Sequence, residues 1–383
     1  MSRPVPEANA LSAMGAGRRN ERRYLGRNAT VSKRASATGA GGYRLRCRGT
    51  QNSADVHRNT TEWHNAPMAR WLDYDHGICA IDAHYQRPGL AALYLLVEGK
   101  QAAFIDTGTS HSVPDALEVL ARKGLAPEQV AYVIPTHVHL DHAGGAGAMM
   151  CRFPNAKLVA HPKGARHLID PTKLIAGVTA VYGAEEVTRS FGDIVPVDAT
   201  RVVEAPDGFT LDLNGRRLLF LDTPGHARHH FCVVDEQSRG IFTGDTFGLS
   251  YRELDTENGE FVFPTTTPVQ FDPEALHASI KRLVDLRPKV LYLTHFGRIT
   301  GIERAARQMH DLIDRFVAMA QALGGAGAER HARLIQGQRE ILWPRLRAHG
   351  CHLGADQLGL LLDMDLELNA QGLGVWLDRD SRQ

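Results

Sequence analysis

Residues 136–142 read Thr-His-Val-His-Leu-Asp-His, so His137, His139, Asp141 and His142 crowd potential metal ligands into one short stretch. They follow directly on 131–134, an apolar run with the composition of a buried strand. In extended backbone, side chains two apart face the same way, so His137 and His139 can aim at one point. The chain must then turn, which frees Asp141 and His142 to aim at a second. Gly144-Gly145 comes next and suits a tight loop before a helix. A surface loop has no need of three imidazoles and a carboxylate packed behind a buried strand. These ligand types suit Zn²⁺, with Fe and Mn as competitors.

Such an ion, or pair of ions, needs further ligands, and three later places offer them. Thr-Pro-Gly-His at 223–226 follows an apolar run at 217–221, Thr-Gly-Asp-Thr at 243–246 follows 241–242, and Leu-Thr-His-Phe at 293–296 follows 290–292. Each is a short strand ending in a single His or Asp: His226, Asp245 and His295. Four strands that deliver ligands at corresponding ends describe one site at the edge of a sheet.

Around these points the pattern is strand-rich from about residue 90. Strands are expected at 93–97, 102–105, 131–134, 157–160, 209–213, 217–221, 231–234, 241–243 and 290–293. Asn214-Gly215 signals a hairpin between two of them. Helices are expected at 113–123 and at 273–286, the latter capped by Asp272 with Pro273 at its first position. Residues 161–200 have mixed helical character and read as a lid or an insertion. After His295 the character changes. A helix from a Thr300/Glu303 capping box to Gly324-Gly325 is followed by a second near 328–342, stopped by Pro344, and a short third near 354–363.

Charge is uneven along the chain. The whole carries +1, but residues 1–50 hold 11 Lys/Arg against 2 Asp/Glu, so a mildly acidic body follows a basic leader. Residues 1–67 lack periodicity and read as a disordered basic leader. A transit peptide is the competing reading, disfavoured by interrupting glycines and no amphipathic stretch; an over-extended start, with Met68 as the natural one, is preferred. The acidic body offers no footprint for nucleic acid. Five scattered cysteines without Cys-x-x-Cys argue for a reducing compartment, here the cytoplasm, and no apolar run is long enough to span a membrane. Residues 68–299 then form the catalytic domain and 300–383 a helical extension packed on it. Oligomeric state is not readable.

His-x-His-x-Asp-His, followed in order by Pro-Gly-His, Gly-Asp-Thr and a last Thr-His, resembles the metallo-β-lactamase fold superfamily over roughly residues 80–300, and its glyoxalase II-like hydrolytic branch in particular. Phe104-Ile105-Asp106-Thr107-Gly108 is similar to the family's early strand and Asp turn. The resemblance implies an α/β fold, an αββα sandwich with metals at one edge, here with a C-terminal helical appendage. It implies a first ion on His137, His139 and His226, a second on Asp141, His142 and His295, and Asp245 as the bridge. Asp106 would steady the ligand loop from outside, and His230 would support the ligands. His84, His161 and His229 have no motif behind them and are expected in surface or packing roles.

Two Zn²⁺ ions so held imply hydrolysis of a small ester, thioester or lactone by a metal-bridging hydroxide, with Asp141 orienting the nucleophile. Departures narrow the branch. Common β-lactamases place Cys where this chain has Asp245; the flavodiiron redox branch places Glu where it has His139. The glutathione-binding stretch of glyoxalase II is missing, which places a glutathione thioester in doubt. The alternatives are a mononuclear iron sulfur dioxygenase of the same fold, a phosphodiesterase, and a non-catalytic module that kept the fold. Phe247, Tyr251, Phe261 and Phe263 suit either a pocket or the core. Arg252 suits either a substrate carboxylate or a neighbouring Glu.

Overall fold

The structure, a computed structural model, describes residues 64–65, 69–266, 269–323 and 325–380; the basic leader lies outside these. Eight strands form one sheet in sequence order: β1 (His64–Asn65), β2 (Arg70–Tyr74), β3 (Ile78–Asp82), β4 (Ala92–Glu98), β5 (Gln101–Ile105), β6 (Val130–Ile134), β7 (Lys157–Ala160) and β8 (Val202–Glu204). The first five pair antiparallel, and β5 through β8 pair parallel. Parallel neighbours need crossovers. These are α1 (Val113–Arg122), then α2 (Leu140–Ala143) with α3 (Ala146–Arg152), then α4 (Pro162–Ile169), α5 (Thr172–Tyr182) and α6 (Ala184–Phe191).

The second sheet contains β9 (Thr210–Leu213), β10 (Arg216–Asp222), β11 (Phe231–Asp235), β12 (Gly240–Gly244), β13 (Val290–Leu293) and β14 (Gly297–Ile299), side by side in that order. Asn214 and Gly215 both have positive φ, 51° and 92°, as the tight β9–β10 turn requires. Two antiparallel pairings, β10–β11 and β11–β12, leave β10 and β12 running the same way, and β13 is parallel to β12. All three therefore end at one edge. The β12–β13 crossover is α7 (Pro273–Asp285), capped as expected by the Asp272 side chain accepting from the Ala275 amide. Strands β3 and β12 are buried along their whole length, the mark of sheets covered on both faces. The architecture is the expected αββα sandwich.

The helical tail departs from its expected bounds. It consists of α8 (Ile302–Leu323), α9 (Gly327–Ala348) and α10 (Ala355–Asp380). Thr300 bonds Glu260 through its amide and hydroxyl, so the side chain expected to form a capping box with Glu303 is tied elsewhere. Pro344 does not stop α9 but lies inside it, between the buried Leu342 and Leu346. An interior proline costs about 3 kcal/mol; two buried leucines return roughly 1.5–3 kcal/mol each. The third helix reaches Asp380 rather than 363, because Leu358, Leu362, Leu366, Leu373 and Trp376 continue one buried stripe past its glycines. Among the described residues, no helix is long and apolar enough to cross a membrane.

Candidate metal centre

The turn expected after His139 is real. His139 is extended (φ −63°, ψ 146°) and is followed at once by the single turn of α2, which carries Asp141 and His142. Gly145 then passes beneath the β5 loop. A Cβ there would sit 2.6 Å from the Thr109 carbonyl oxygen and 2.8 Å from that of Thr107, so only glycine fits. His226, Asp245 and His295 arrive from the ends of β10, β12 and β13. All seven side chains meet.

They meet as two groups. In the first, His137 Nε2 lies 2.9 Å from His139 Nδ1, and His226 Nε2 lies 3.0 Å from the same atom. In the second, His142 Nε2 and His295 Nε2 are 3.3 Å apart, and the Asp141 carboxylate is 3.6 Å and 3.3 Å from them. Asp245 stands between. Its Oδ2 is 3.3 Å from His226 Nε2 and 4.0 Å from His137 Nε2; its Oδ1 is 3.3 Å from His142 Nε2 and 3.7 Å from His295 Nε2. Within each set, His137, His139, His226 and Asp245 on one side and Asp141, His142 and His295 on the other, one ligand atom per residue lies within 4.8 Å of the rest.

The chemistry of this donor set fits divalent cations. Burial, reinforced by neighbouring imidazoles, holds His137 well below the ordinary histidine range, and burial also lowers His139 and His226. Their nitrogens are neutral and present lone pairs. Burial opposes charge on His142, but Asp245, Asp141 and Asp106 override it and raise its pKa. The second group thus attracts positive charge. Among the described residues, the buried Asp245 Oδ1 makes no hydrogen bond despite its imidazole neighbours. A buried carboxylate oxygen facing nitrogens without bonding them suits a cation between.

Surrounding groups fix several of these side chains. Asp106 accepts from the Thr136 amide and hydroxyl at 2.7 Å and 2.9 Å through Oδ1, and from the Thr294 hydroxyl at 2.6 Å through Oδ2. Its Oδ2 also lies 2.9 Å from His142 Nδ1. One carboxylate therefore ties the loop after β6 to the loop after β13. Asp106→Ala would strand these donors in the core and is expected to destabilise the fold by about 4 kcal/mol. A fall in the urea midpoint at constant m reads it; an unchanged midpoint would contradict the linkage. His230 Nε2 accepts from the Asp245 amide at 3.1 Å, and its Nδ1 is 2.9 Å from the Thr223 hydroxyl, so it supports Asp245 rather than joining either group. His295 Nδ1 faces the Leu90 carbonyl at 2.8 Å. Threonines 136, 223 and 294 and the Leu90 carbonyl were not singled out in the sequence; the only local sign was Thr directly before His, or three before it.

The remaining sequence candidates separate. His84 pairs with Asp115 at 2.9 Å. His161 caps α4 by accepting from the Lys163 amide and bonds Asp222. His229 lies nearer the centre than expected, buried with its ring 5.8 Å from that of His139, and burial drives its pKa down to about 3. Phe247, Tyr251, Phe261 and Phe263 are all core residues. Arg252 bonds the Ser250 carbonyl and hydroxyl and pairs with Asp255 at 3.3 Å, so it is occupied by its own loop. Residues 161–200 supply α4 to α6. Val187 and Phe191 of α6 are buried against Leu140, with Tyr85, Leu174 and Val178 beside them, forming an apolar wall over the ligand loop.

Comparison with known proteins gives one consistent result. The family model described as Metallo-beta-lactamase superfamily matches residues 87–295. The chain is 28% identical over 253 residues to the metallo-beta-lactamase fold-containing protein ST1585 of Sulfurisphaera tokodaii, covering 63% of this chain and 86% of that one. The solved structure of ST1585 matches with a TM-score of 0.54 at 24% identity, over 78% of this chain and 99% of that one. The metallo-beta-lactamase family protein TTHA1429 from Thermus thermophilus matches with a TM-score of 0.56 at 22% identity, over 80% and 94%. These two structures speak for the fold. The N-acyl homoserine lactonase of Bacillus thuringiensis is 29% identical over 199 residues, 51% of this chain and 67% of its own length.

Proposed function

This chain belongs to the metallo-beta-lactamase superfamily and is a metal-dependent hydrolase, and from that premise we propose that it holds two zinc ions and cleaves a small ester, thioester or lactone. The observation that carries this reading is Asp245, whose two carboxylate oxygens face two separate nitrogen groups. His137, His139 and His226 would hold one ion, and Asp141, His142 and His295 the other, with Asp245 shared. Divalent ions bound there lower the pKa of water and polarise a substrate oxygen.

The chain's own residues supply positioning. Asp245 offsets the repulsion of two like charges. Asp141 is the ligand carboxylate open to solvent, its side chain 22% exposed against 6% for Asp245. It would orient the attacking water through a carboxylate oxygen. The wall of Val187, Phe191 and Leu140 limits water at that side. A lactone is a cyclic ester, so the lactonase relative is named for a substrate within the proposed class. The working domain is taken as residues 68–299, with 300–383 as a helical extension packed on it. Cys79, Cys151, Cys232 and Cys351 are free thiols, which supports a cytoplasmic setting.

Metal analysis paired with turnover of aryl esters, thioesters and lactones tests the reading. Two ions per chain are expected, with hydrolysis restored to stripped protein by zinc. Less than one ion per chain after reconstitution, with no hydrolysis, would sink it. Activity restored only by iron, with oxygen consumed, would point instead to the oxygenase branch.

A further inference from the structure

Helix α10 lies outside the region that the family model matches, far beyond His295 in sequence. Its buried stripe of Leu358, Leu362, Leu366, Leu373 and Trp376 is interrupted by two polar residues, Asp365 and Asn369, one helical turn apart. Both are buried, and a buried polar group on a packing face costs stability unless it is bonded. Their partners are not in the tail. Both reach the excursion between β12 and α7.

Asn369 grips that excursion at three points. Its Oδ1 accepts from the Thr266 amide at 2.6 Å, its Nδ2 donates to the Pro264 carbonyl at 3.1 Å, and its own carbonyl accepts from the Thr266 hydroxyl at 3.0 Å. The residue held between them is Thr265, whose carbonyl faces His226 Nδ1 at 3.4 Å. A backbone carbonyl on the far nitrogen of a histidine fixes the tautomer and aims the other nitrogen. Asp365 works on the opposite side. Tyr251 donates its hydroxyl to Asp365 Oδ1 at 2.9 Å. The neighbouring Ser250 donates its amide to the His295 carbonyl, and its own carbonyl accepts from the Phe296 amide at 3.3 Å. The Arg87 guanidinium lies 4.5 Å over the Tyr251 ring and closes this stack from outside. Burial raises Asp365 to about 6, against the Tyr251 hydrogen bond and the nearby His295 and Arg87.

We propose that Asp365 and Asn369 are positioning residues of the metal centre, one for each group. Asn369 sets the ring of His226 through Thr265, and Asp365 sets the backbone of His295 through Tyr251 and Ser250. The inference rests on the two-ion reading above. It makes the helical tail part of the site, so that one helix braces a ligand from each half.

Zinc affinities of the full-length chain, read by a competing chromophoric chelator, and the absorption spectrum of the cobalt-loaded protein test it. Asn369→Ala is expected to weaken one ion about tenfold, the low end for loss of a ligand's outer partner, and to shift the cobalt bands. Asp365→Ala should weaken the other ion. Asp365→Asn, which can still accept from Tyr251, should restore the wild-type values. Asn369→Asp keeps the Thr266 contact and loses the Pro264 one; it serves if the alanine variant does not fold, and should show the smaller shift of the same ion. Unchanged affinities and cobalt spectra in variants that merely melt lower would overturn the proposal and leave α10 a structural brace. Wild-type chain that takes up fewer than two ions would count against the two-ion reading instead, a separate and visible failure.

Discussion

Asp245→Asn should leave the chain folded and lower kcat/KM by about three orders of magnitude, roughly 4 kcal/mol of transition-state stabilisation. The substitution keeps shape and removes one negative charge. That charge is shared, because Oδ2 faces His226 and Oδ1 faces His142, each at 3.3 Å. Two divalent ions without an anion between them repel one another, so the variant should hold at most one tightly. Its backbone stays anchored, since His230 Nε2 still accepts from the residue 245 amide. The same charge opposes that of Asp141, and Asp141 and Asp106 still face His142 once it is removed, so the imidazole keeps two acidic partners. A variant with normal turnover and two ions would refute the bridge. A variant that simply unfolds would instead assign Asp245 to stability, and circular dichroism beside the kinetics separates these outcomes.

What could be read in the sequence depended on how local each feature is. The loop after β6 was legible because four candidate ligands and the turn that divides them lie in one short stretch. His226, Asp245 and His295 were legible because each follows a short apolar run that ends abruptly. Support for those ligands was less visible. Asp106 needs Thr136, Thr294 and His142 around it, and only the fold brings these together. Strand β3, Ile-Cys-Ala-Ile-Asp, is buried throughout and carries no alternation to mark it, so the expected strands began too late, near residue 90. In the tail, Pro344 and the glycines of α10 obeyed local propensity on paper and yielded to packing in the fold. Those glycines cost about 1 kcal/mol each, less than the buried leucines around them return. The same stripe carries Asp365 and Asn369, whose meaning depends on loops more than a hundred residues earlier.

Removing the metal should have the second large effect, and on stability as well as turnover. Five imidazoles and two carboxylates converge in a buried space, with nitrogen atoms as close as 2.9 Å. Folding gathers these groups at a cost in desolvation that the fold must recover, and cations that bind only the gathered arrangement supply the return. Each ion present at a thousand times its Kd adds about 4 kcal/mol. Stripping both with a chelator should therefore lower the melting temperature by about 10 °C and abolish hydrolysis, and zinc should restore both. The two sets of ligands predict two steps on reconstitution. A single step would mean that the sets fill together, as a shared Asp245 favours when the first ion fixes the carboxylate for the second. An unchanged melting temperature after complete stripping would mean that the apo arrangement is already satisfied by its own hydrogen bonds. That outcome is hard to reconcile with the unbonded Asp245 Oδ1 at its centre, and it would remove the physical basis for reading these residues as ligands.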